Sequence, residues 1–346
     1  MKIGTHIINE KSPTFIIAEL SANHNGSIEI AIETIKAAKN AGADCVKLQT
    51  YTPDTITLDH KSDHFKISQD TIWDGKYLYD LYEEAFTPWE WHEELFDVCS
   101  SEGLSYFSSP FDITAVDFLE GLNVPAYKIA SFEITDIPLI EYTASKMKPI
   151  IISTGIAGLE DIQLAVDACR NAGNEEIVLL KCTSSYPATL EQANLSMIKD
   201  LSKRFNVITG LSDHTIGSIA AITSIALGAK IIEKHFILDK SIGGPDASFS
   251  MDPKEFKKMV TSIRESETSL GVVDYSLTDK QLQSREFSRS LFVVKDIKLG
   301  EEITHKNVRS IRPSYGLHPK YLNKIIGLKA NKDIAKGTPL DMSYME

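Results

Sequence analysis

The chain alternates short apolar runs with longer amphipathic segments. The runs are rich in β-branched residues, as strands are, and eight of them lie at 15–20, 45–50, 105–110, 126–131, 149–154, 177–182, 207–212 and 230–235. Between them, segments such as 27–43, 158–173 and 215–229 repeat apolar residues every three to four positions, as helices do. Each of these three segments has a glycine at or next to its end, which is typical of a helix C-terminus.

This alternation predicts parallel strands, because strands joined through helices run in the same direction. Eight such units predict an α/β fold with a closed (β/α)8 barrel, the TIM barrel. The main alternative is a doubly wound open sheet, but such a sheet rarely has eight regular units, and no GxGxxG turn follows the first run. The connection at 51–86 is long and rich in aromatic and charged residues, so we expect it to cover one end of the barrel.

The pattern changes after residue 270. The stretches 287–304 and 328–341 resemble each other, since each pairs a short strand with a Lys-Asp-Ile turn and a glycine. We therefore predict a barrel domain over 1–270, a linker over 271–284 and a small β-rich domain over 285–346. A domain of that size has a marginal core alone, so we expect it to dock on its own barrel or on a partner.

The composition excludes several classes of protein. A net charge of −12 argues against nucleic-acid binding, and no apolar stretch approaches the about 18 residues of a membrane span. Residues 1–13 lack a signal-peptide pattern, and the four cysteines have no metal or redox spacing: Cys45, Cys99, Cys169 and Cys182. We expect a cytoplasmic protein with reduced, mostly buried thiols. Any anion site must then be a local basic exception to an acidic surface.

Polar residues lie at the ends of the apolar runs, where a parallel barrel places its active site. Lys47 and Lys128 are the cations among them. Buried cations need counter-charges, which either an anionic ligand or protein carboxylates must supply. Four serines at strand ends suit phosphate or carboxylate oxygens: Ser109, Ser131, Ser153 and Ser212. The pattern favours a ligand that carries both a phosphate and a carboxylate group. The alternative is a set of lysine–glutamate pairs formed with Glu19, Glu133 and Glu233.

The seventh and eighth units end on histidine, at His214 and His235. Sequential barrel strands are neighbours, so the two rings can share one divalent metal with open positions for water and substrate, or form a proton-shuttling pair. The spacing leaves both open. Glu133 or Glu19 is the expected general acid or base beside them. Asp246 follows the eighth run in a glycine-rich loop, where it either closes a turn or binds a polar uncharged group such as a sugar.

Short motifs in a fixed order carry a specific resemblance. They are IIAELSANHNGS, VKLQT, SSPF, AYKIASFE, STG, KCTSSYP, GLSDHT, EKHF and GPD, followed by SLFVVKDIKLGE and VRSIRP. Over essentially the whole chain they resemble the sialic acid synthase family and its C-terminal antifreeze-like (SAF) domain. Within that family, ELSANH, KLQTYTPD, KIASFE, STGIA and RPSYGLHPK are most similar to the branch that makes pseudaminic acid.

The resemblance implies a reaction. Phosphoenolpyruvate condenses with the aldehyde of an open-chain N-acetylated amino sugar, a nine-carbon 2-keto acid forms, and phosphate leaves. For the pseudaminic branch the implied sugar is 2,4-diacetamido-2,4,6-trideoxy-L-altrose, and the alternative is a sugar that gives N-acetylneuraminic or legionaminic acid. The family also implies a divalent metal, commonly manganese with magnesium or cobalt as alternatives, held by the residues that match its two histidines, His214 and His235.

The resemblance also implies residue roles. Lys47, Ser109 and Lys128 match positions that hold phosphoenolpyruvate, and four serines match positions at its anionic end: Ser131, Ser153, Ser184 and Ser212. Ser109 replaces the usual threonine and keeps the hydroxyl, whereas Ser184 replaces an asparagine and shortens the reach. Glu133 matches the acid/base. The positions near the sugar are matched by Glu19, Gln49, Tyr186 and Asp246. Arg312 matches an arginine delivered by the SAF domain of a partner subunit, which implies a homodimer with exchanged SAF domains.

Two other classes of function are alternatives to this one. A Schiff-base aldolase would use Lys128 or Lys47, with a pKa depressed by their mutual repulsion, but it leaves the two histidines without a role. The resemblance of the small C-terminal domain to an antifreeze-like domain suggests a carbohydrate- or surface-binding protein. Passive binding does not need a barrel end so rich in acids, lysines and hydroxyls.

Overall fold

The computed structural model describes residues 1–68 and 71–346. These residues form two compact units, Met1–Gly271 and Val272–Glu346, each with its own buried apolar core. Within the described ranges, no helix is both long and apolar enough to cross a membrane.

The first unit begins with a two-stranded hairpin, β1 (Lys2–Ile3) and β2 (His6–Ile7). Ile3 and Ile8 belong to the same buried cluster as Phe15 and other side chains of the barrel interior. The hairpin therefore covers the end of the barrel at which the strands begin, and leaves the other end for the site.

Eight parallel strands close into a barrel, which confirms the predicted fold class. They are β3 (Phe15–Glu19), β4 (Cys45–Thr50), β5 (Ser105–Pro110), β6 (Tyr127–Ile129), β7 (Ile150–Ser153), β8 (Ile177–Cys182), β9 (Ile208–Asp213) and β10 (Ile231–His235). Each strand falls on one predicted run. The largest difference is β6, which ends early because Ser131–Glu133 turns into a 3-10 helix.

Eight helices follow the barrel strands, one after each, and two short ones lie in the long connection after β4. The eight are α1 (Ile28–Asn40), α4 (His92–Ser101), α5 (Ile113–Gly121), α6 (Ile137–Ala144), α7 (Leu159–Asn171), α8 (Met197–Phe205), α9 (Ile219–Ala226) and α10 (Pro253–Leu270), and the two are α2 (Pro53–Ile56) and α3 (Leu78–Ala85). Helix α1 shows the local logic: Ser27 caps its first turn, and its buried face presents Ala31, Ile35 and Ala38 to the barrel.

The second unit contains α11 (Asp279–Ser284), an antiparallel pair of β11 (Ser290–Val293) with β12 (Val308–Ile311), and α12 (Leu322–Ile325). The two similar stretches seen in the sequence pair with each other through a bridge between Ile297 and Ile334, both of which are buried in its core. Residues 271–289 are exposed, and the predicted linker 271–284 includes α11.

Candidate functional site

The candidate site lies where the barrel strands end, and strand register sets its centre. Glu19 on β3 lies opposite His235 on β10 and opposite Lys47 on β4. Its Oε1 accepts a hydrogen bond from Gln49 Nε2 at 3.1 Å. One carboxylate therefore sits between a histidine and a lysine, all three of which are buried.

Lys47 is neutralised by the protein itself. Its Nζ lies 2.5 Å from Glu19 Oε2 and 3.5 Å from Glu233 Oε1, and donates to Ser109 Oγ at 3.3 Å. Burial opposes its charge, but the two carboxylates outweigh burial and raise the pKa of Lys47. A lysine held this firmly in the charged form does not suit a Schiff base, so the structure gives no support to that role for Lys47.

Lys128 has a different environment. Its Nζ donates to Ser153 Oγ at 2.6 Å and to the carbonyl oxygen of Ile129 at 3.0 Å, and no salt bridge to it occurs within residues 1–68 and 71–346. Its side chain is buried, and burial lowers its pKa. Lysine–glutamate pairing therefore explains Lys47 but not Lys128, which favours an anionic ligand at Lys128.

Two further serine hydroxyls meet beside Gly155. The backbone N–H of Gly155 donates to Ser131 Oγ at 3.1 Å, and Ser184 Oγ is buried without a hydrogen-bond partner among the described atoms. A Cβ at position 155 would overlap Ser184 Oγ and lie 2.7 Å from Ser131 Oγ. Only glycine lets these two hydroxyls approach so closely, and the unpartnered Ser184 can accept or donate to a ligand.

The two histidines are brought together as the strand order requires. The ring centroids of His214 and His235 lie 5.3 Å apart. His214 Nδ1 lies 3.0 Å from the carbonyl oxygen of Thr183, and His235 Nδ1 is buried without a hydrogen bond, 3.7 Å from Asp246 Oδ2. Burial lowers the pKa of His235 well below its ordinary value. A neutral imidazole is the form that binds metals.

The histidine pair offers few protein ligands to a divalent metal. Across the described ranges, no three His, Cys, Asp or Glu side chains converge into a closed metal cluster. Two imidazoles, of which His235 is held neutral by burial, with a carboxylate nearby instead suit an open site, in which water and substrate oxygens complete the coordination. The residues present therefore fit a catalytic rather than a structural metal.

Glu133 follows β6 and is half-buried, with Oε2 buried and without a hydrogen bond. Burial raises its pKa to about 7, and Lys128 opposes that rise. Burial also raises the pKa of Glu19, although Lys47 opposes it. Glu133 therefore populates both the acid and the base form near neutral pH, which a general acid or base requires.

Aromatic residues border the histidines. The ring of Tyr186 lies 4.5 Å from that of His214, and Phe249 lies 4.9 Å from His235. The long connection reaches the same place, since Trp73 lies 5.5 Å from Tyr186. Residues 69 and 70 of that connection lie outside the described residues.

The sequence named Glu233 only as a possible partner of a lysine, and it did not single out Cys182 as a site residue. Glu233 binds Lys47 and accepts from Ser212 Oγ at 3.2 Å. Its position two residues before His235 puts it on the same strand face, and this spacing is the sequence signal that places it in the site. Cys182 Sγ lies 3.8 Å from His214 Nδ1. Arg312 belongs to the second unit, where it is exposed.

Comparisons with known proteins agree with this geometry. The sequence pattern of the NeuB family matches residues 34–275, and that of the SAF domain matches residues 288–343. The chain is 48% identical to the pseudaminic acid synthase of Campylobacter jejuni over 340 residues, 98% of each chain. It is 50% identical to that of Helicobacter pylori over 335 residues, 96% of this chain and 98% of the other. A crystal structure of N-acetylneuraminic acid synthetase from Leptospira borgpetersenii superposes on this chain with a TM-score of 0.72 at 29% sequence identity. The match covers 82% of this chain and 94% of the other.

Proposed function

Because the chain belongs to the NeuB family, we propose that it is a carbon–carbon bond-forming transferase that makes pseudaminic acid. It condenses phosphoenolpyruvate with 2,4-diacetamido-2,4,6-trideoxy-L-altrose and releases phosphate. The observation that carries the chemistry is the buried Lys128 without a carboxylate partner, at the same barrel end as the histidine pair. The identity to the two pseudaminic acid synthases selects the sugar.

The anionic ends of phosphoenolpyruvate bind on the lysine side of the site. Lys128 supplies positive charge that forms no salt bridge within the described residues, and Lys47 adds a fixed ammonium whose position Glu19 and Glu233 determine. The serine hydroxyls supply hydrogen bonds to phosphate and carboxylate oxygens: Ser109, Ser131, Ser153, Ser184 and Ser212. Charged acceptors strengthen such hydrogen bonds.

His214 and His235 would hold a divalent metal, with manganese preferred and magnesium or cobalt as alternatives. When bound there, the metal supplies a Lewis acid that makes the aldehyde carbon electrophilic. The carbonyl of Thr183 fixes the His214 ring by accepting from Nδ1. Gln49, Tyr186 and Asp246 lie on the sugar side.

The bond changes follow from the two substrates. Carbon 3 of phosphoenolpyruvate attacks the aldehyde carbon, water adds to the cation left at carbon 2, and the bond from that carbon to the phosphate oxygen breaks as the ketone forms. The attacking water loses two protons, of which one is balanced by the proton that the aldehyde oxygen gains and the other by the proton that leaves with phosphate. Glu133 can donate the proton that the aldehyde oxygen gains, or accept a proton from the attacking water, because its pKa of about 7 keeps both the acid and the base form populated.

The test is a mass-spectrometric product assay with phosphoenolpyruvate, manganese and three sugars, the precursors of pseudaminic, legionaminic and N-acetylneuraminic acid. We expect the pseudaminic precursor to give product and free phosphate fastest. His214→Ala and His235→Ala should lose phosphate release while retaining the far-UV circular dichroism of the folded protein. Activity that persists in a chelator would refute the metal's role. A borohydride-trapped adduct would instead support a Schiff base at Lys128.

The proposal includes a homodimer in which the SAF domain of one subunit brings Arg312 to the barrel of the other. Large apolar side chains support a covered surface around the barrel end, because they are unusually exposed there: Phe132 58%, Ile156 48%, Ile216 60% and Ile219 62%. An apolar patch of this kind is typical of an interaction surface. We place the enzyme in the cytoplasm, as its buried, unpaired thiols suggest.

A further inference from the structure

Trp73 joins two loops across the end of the barrel. It lies in the connection after β4, and its Nε1 donates to the carbonyl oxygen of Pro245 at 3.3 Å. Its ring centroid lies 5.5 Å from that of Tyr186. Pro245 belongs to the loop after β10 and Tyr186 to the loop after β8, so one half-buried side chain contacts both.

Trp73 is the outer member of a continuous aromatic wall formed by Trp73, Tyr186 and Phe249. Tyr186 lies 5.3 Å from Phe249 and 4.5 Å from His214, and Phe249 lies 4.9 Å from His235. The wall therefore begins at the two histidines and ends at Trp73.

The outer part of this wall offers little to a sugar hydroxyl. The single N–H of Trp73 is already donated to Pro245. A hydroxyl placed against the indole ring would lose water without gaining a partner, whereas a methyl group there gains free energy by leaving water. The wall thus fits an apolar part of the substrate.

We propose that Trp73 is a specificity-determining residue that favours sugars with a methyl group at the carbon farthest from the aldehyde over sugars with a hydroxymethyl group there. The inference rests on the proposed function, because that function places the aldehyde beside His214 and His235, where the aromatic wall begins. In this proposal the far end of the sugar extends along the wall toward Trp73. An apolar surface rejects an added hydroxyl by at most about 10²-fold, so the preference falls within that range.

The test measures kcat/KM for 2,4-diacetamido-2,4,6-trideoxy-L-altrose and for its counterpart with a hydroxyl at carbon 6. We expect the wild-type enzyme to prefer the deoxy sugar and Trp73→Ala to reduce that preference about tenfold. The loss should come through KM for the deoxy sugar, with KM for phosphoenolpyruvate unchanged. Trp73→Phe keeps an aromatic ring but removes the hydrogen bond to Pro245, and it should retain most of the preference.

Ile72→Ala is the matched control, since this neighbouring side chain is 50% exposed, and it should leave the preference unchanged. An equal loss with both sugars in Trp73→Ala, a loss in Trp73→Phe as large as in Trp73→Ala, or a wild-type enzyme without any preference would each overturn the inference. If the wild type releases no phosphate with either sugar, the proposed function itself is wrong, and the inference falls with it.

Discussion

The carboxylate of Asp213 lies 2.7 Å from the ammonium of Lys234, and both side chains are buried. The two residues directly precede His214 and His235 and face each other in the register of β9 and β10. Asp213 also accepts from the backbone N–H and the hydroxyl of Thr215, and Lys234 donates to the carbonyl of Thr215. This ion pair therefore ties the last two strands together just below the histidines.

Removing one partner of this pair should be costly. Lys234→Met leaves Asp213 as an uncompensated buried charge, and we expect the free energy of unfolding to fall by about 3–5 kcal/mol. Asp213→Asn with Lys234→Met removes both charges and should recover part of the loss. Urea unfolding measures both. Lys36→Met, which breaks an exposed pair with Glu33, is the control and should change the free energy of unfolding little. An equal fall in the free energy of unfolding in Lys234→Met and in Lys36→Met would contradict the argument.

The two site lysines should respond differently to the same substitution. Lys128→Met removes a cation that forms no salt bridge within the described ranges but whose charge helps to lower the pKa of Glu233. The protein should lose less stability than Lys47→Met does, while phosphoenolpyruvate binding falls at least tenfold. Lys47→Met leaves Glu19 and Glu233 facing each other and should lose both binding and stability. Calorimetric titration with phosphoenolpyruvate and urea unfolding separate the two effects. A Lys128→Met protein that binds normally would remove the main support for the anion site.

Glu133 should give the enzyme a pH dependence near neutrality. Because burial raises its pKa from 4.5 to about 7, the pH profile of kcat/KM should contain a limb near pH 7 that Glu133→Gln abolishes. The same shift fixes the sign for stability. In the unfolded chain Glu133 ionises near pH 4.5, but in the folded protein only near pH 7, so its contribution to stability is complete below pH 4.5 and is lost as the pH rises to 7.

Glu133→Gln should therefore raise the free energy of unfolding by about 1–3 kcal/mol at alkaline pH and leave it nearly unchanged near pH 4.5, where Glu133 is protonated in the folded state. Urea unfolding at the two pH values provides the comparison. An effect of the same size at both would show that Glu133 is not held in the protonated form.

The barrel was predictable because the spacing of apolar residues predicts where strands and helices lie and how long they are. Since sequential barrel strands are neighbours, the same prediction placed His214 beside His235. Which lysine is neutralised was not predictable. Neutralisation depends on the distance from each lysine Nζ to the carboxylates of Glu19 and Glu233 on neighbouring strands. The periodicity of apolar residues does not predict such a distance. The pattern could only leave ligand and ion pair as alternatives. The structure shows the ion pairs of Lys47, and a ligand at Lys128 stays a prediction.

The aromatic wall of Trp73, Tyr186 and Phe249 could not be predicted from the sequence either. Trp73 lies in a connection without helical or strand periodicity, so its contact with Tyr186 depends on loop conformation. Asp246 shows a related limit. Its local sequence favoured a turn, yet the structure brings its carboxylate to 3.7 Å from His235 Nδ1, a contact between residues of different elements that a turn pattern does not encode.

Gly155→Ala should impair phosphoenolpyruvate binding specifically. The new Cβ would overlap Ser184 Oγ and crowd Ser131 Oγ, and both hydroxyls must move. We expect KM for phosphoenolpyruvate to rise about tenfold, the effect of losing one or two hydrogen bonds to a charged group, with KM for the sugar little changed. Gly121→Ala is the control, because nothing lies within 4 Å of its Cβ position. Adding Ser184→Gly to Gly155→Ala relieves the closest overlap, and no recovery at all would show that Ser184 is not the residue displaced.

Exchange of SAF domains predicts complementation between two inactive variants. Glu133→Gln disables the barrel, and Arg312→Ala disables the arginine that the second unit supplies, so each homodimer should have low activity. In a mixed dimer with exchanged domains, the barrel of the Arg312→Ala subunit receives the intact Arg312 of its partner, and one complete site forms. Co-expression with two affinity tags isolates the mixed dimer for phosphate-release assays. If Arg312 served the barrel of its own chain, no complete site could form, and the mixed dimer would be as inactive as its parents.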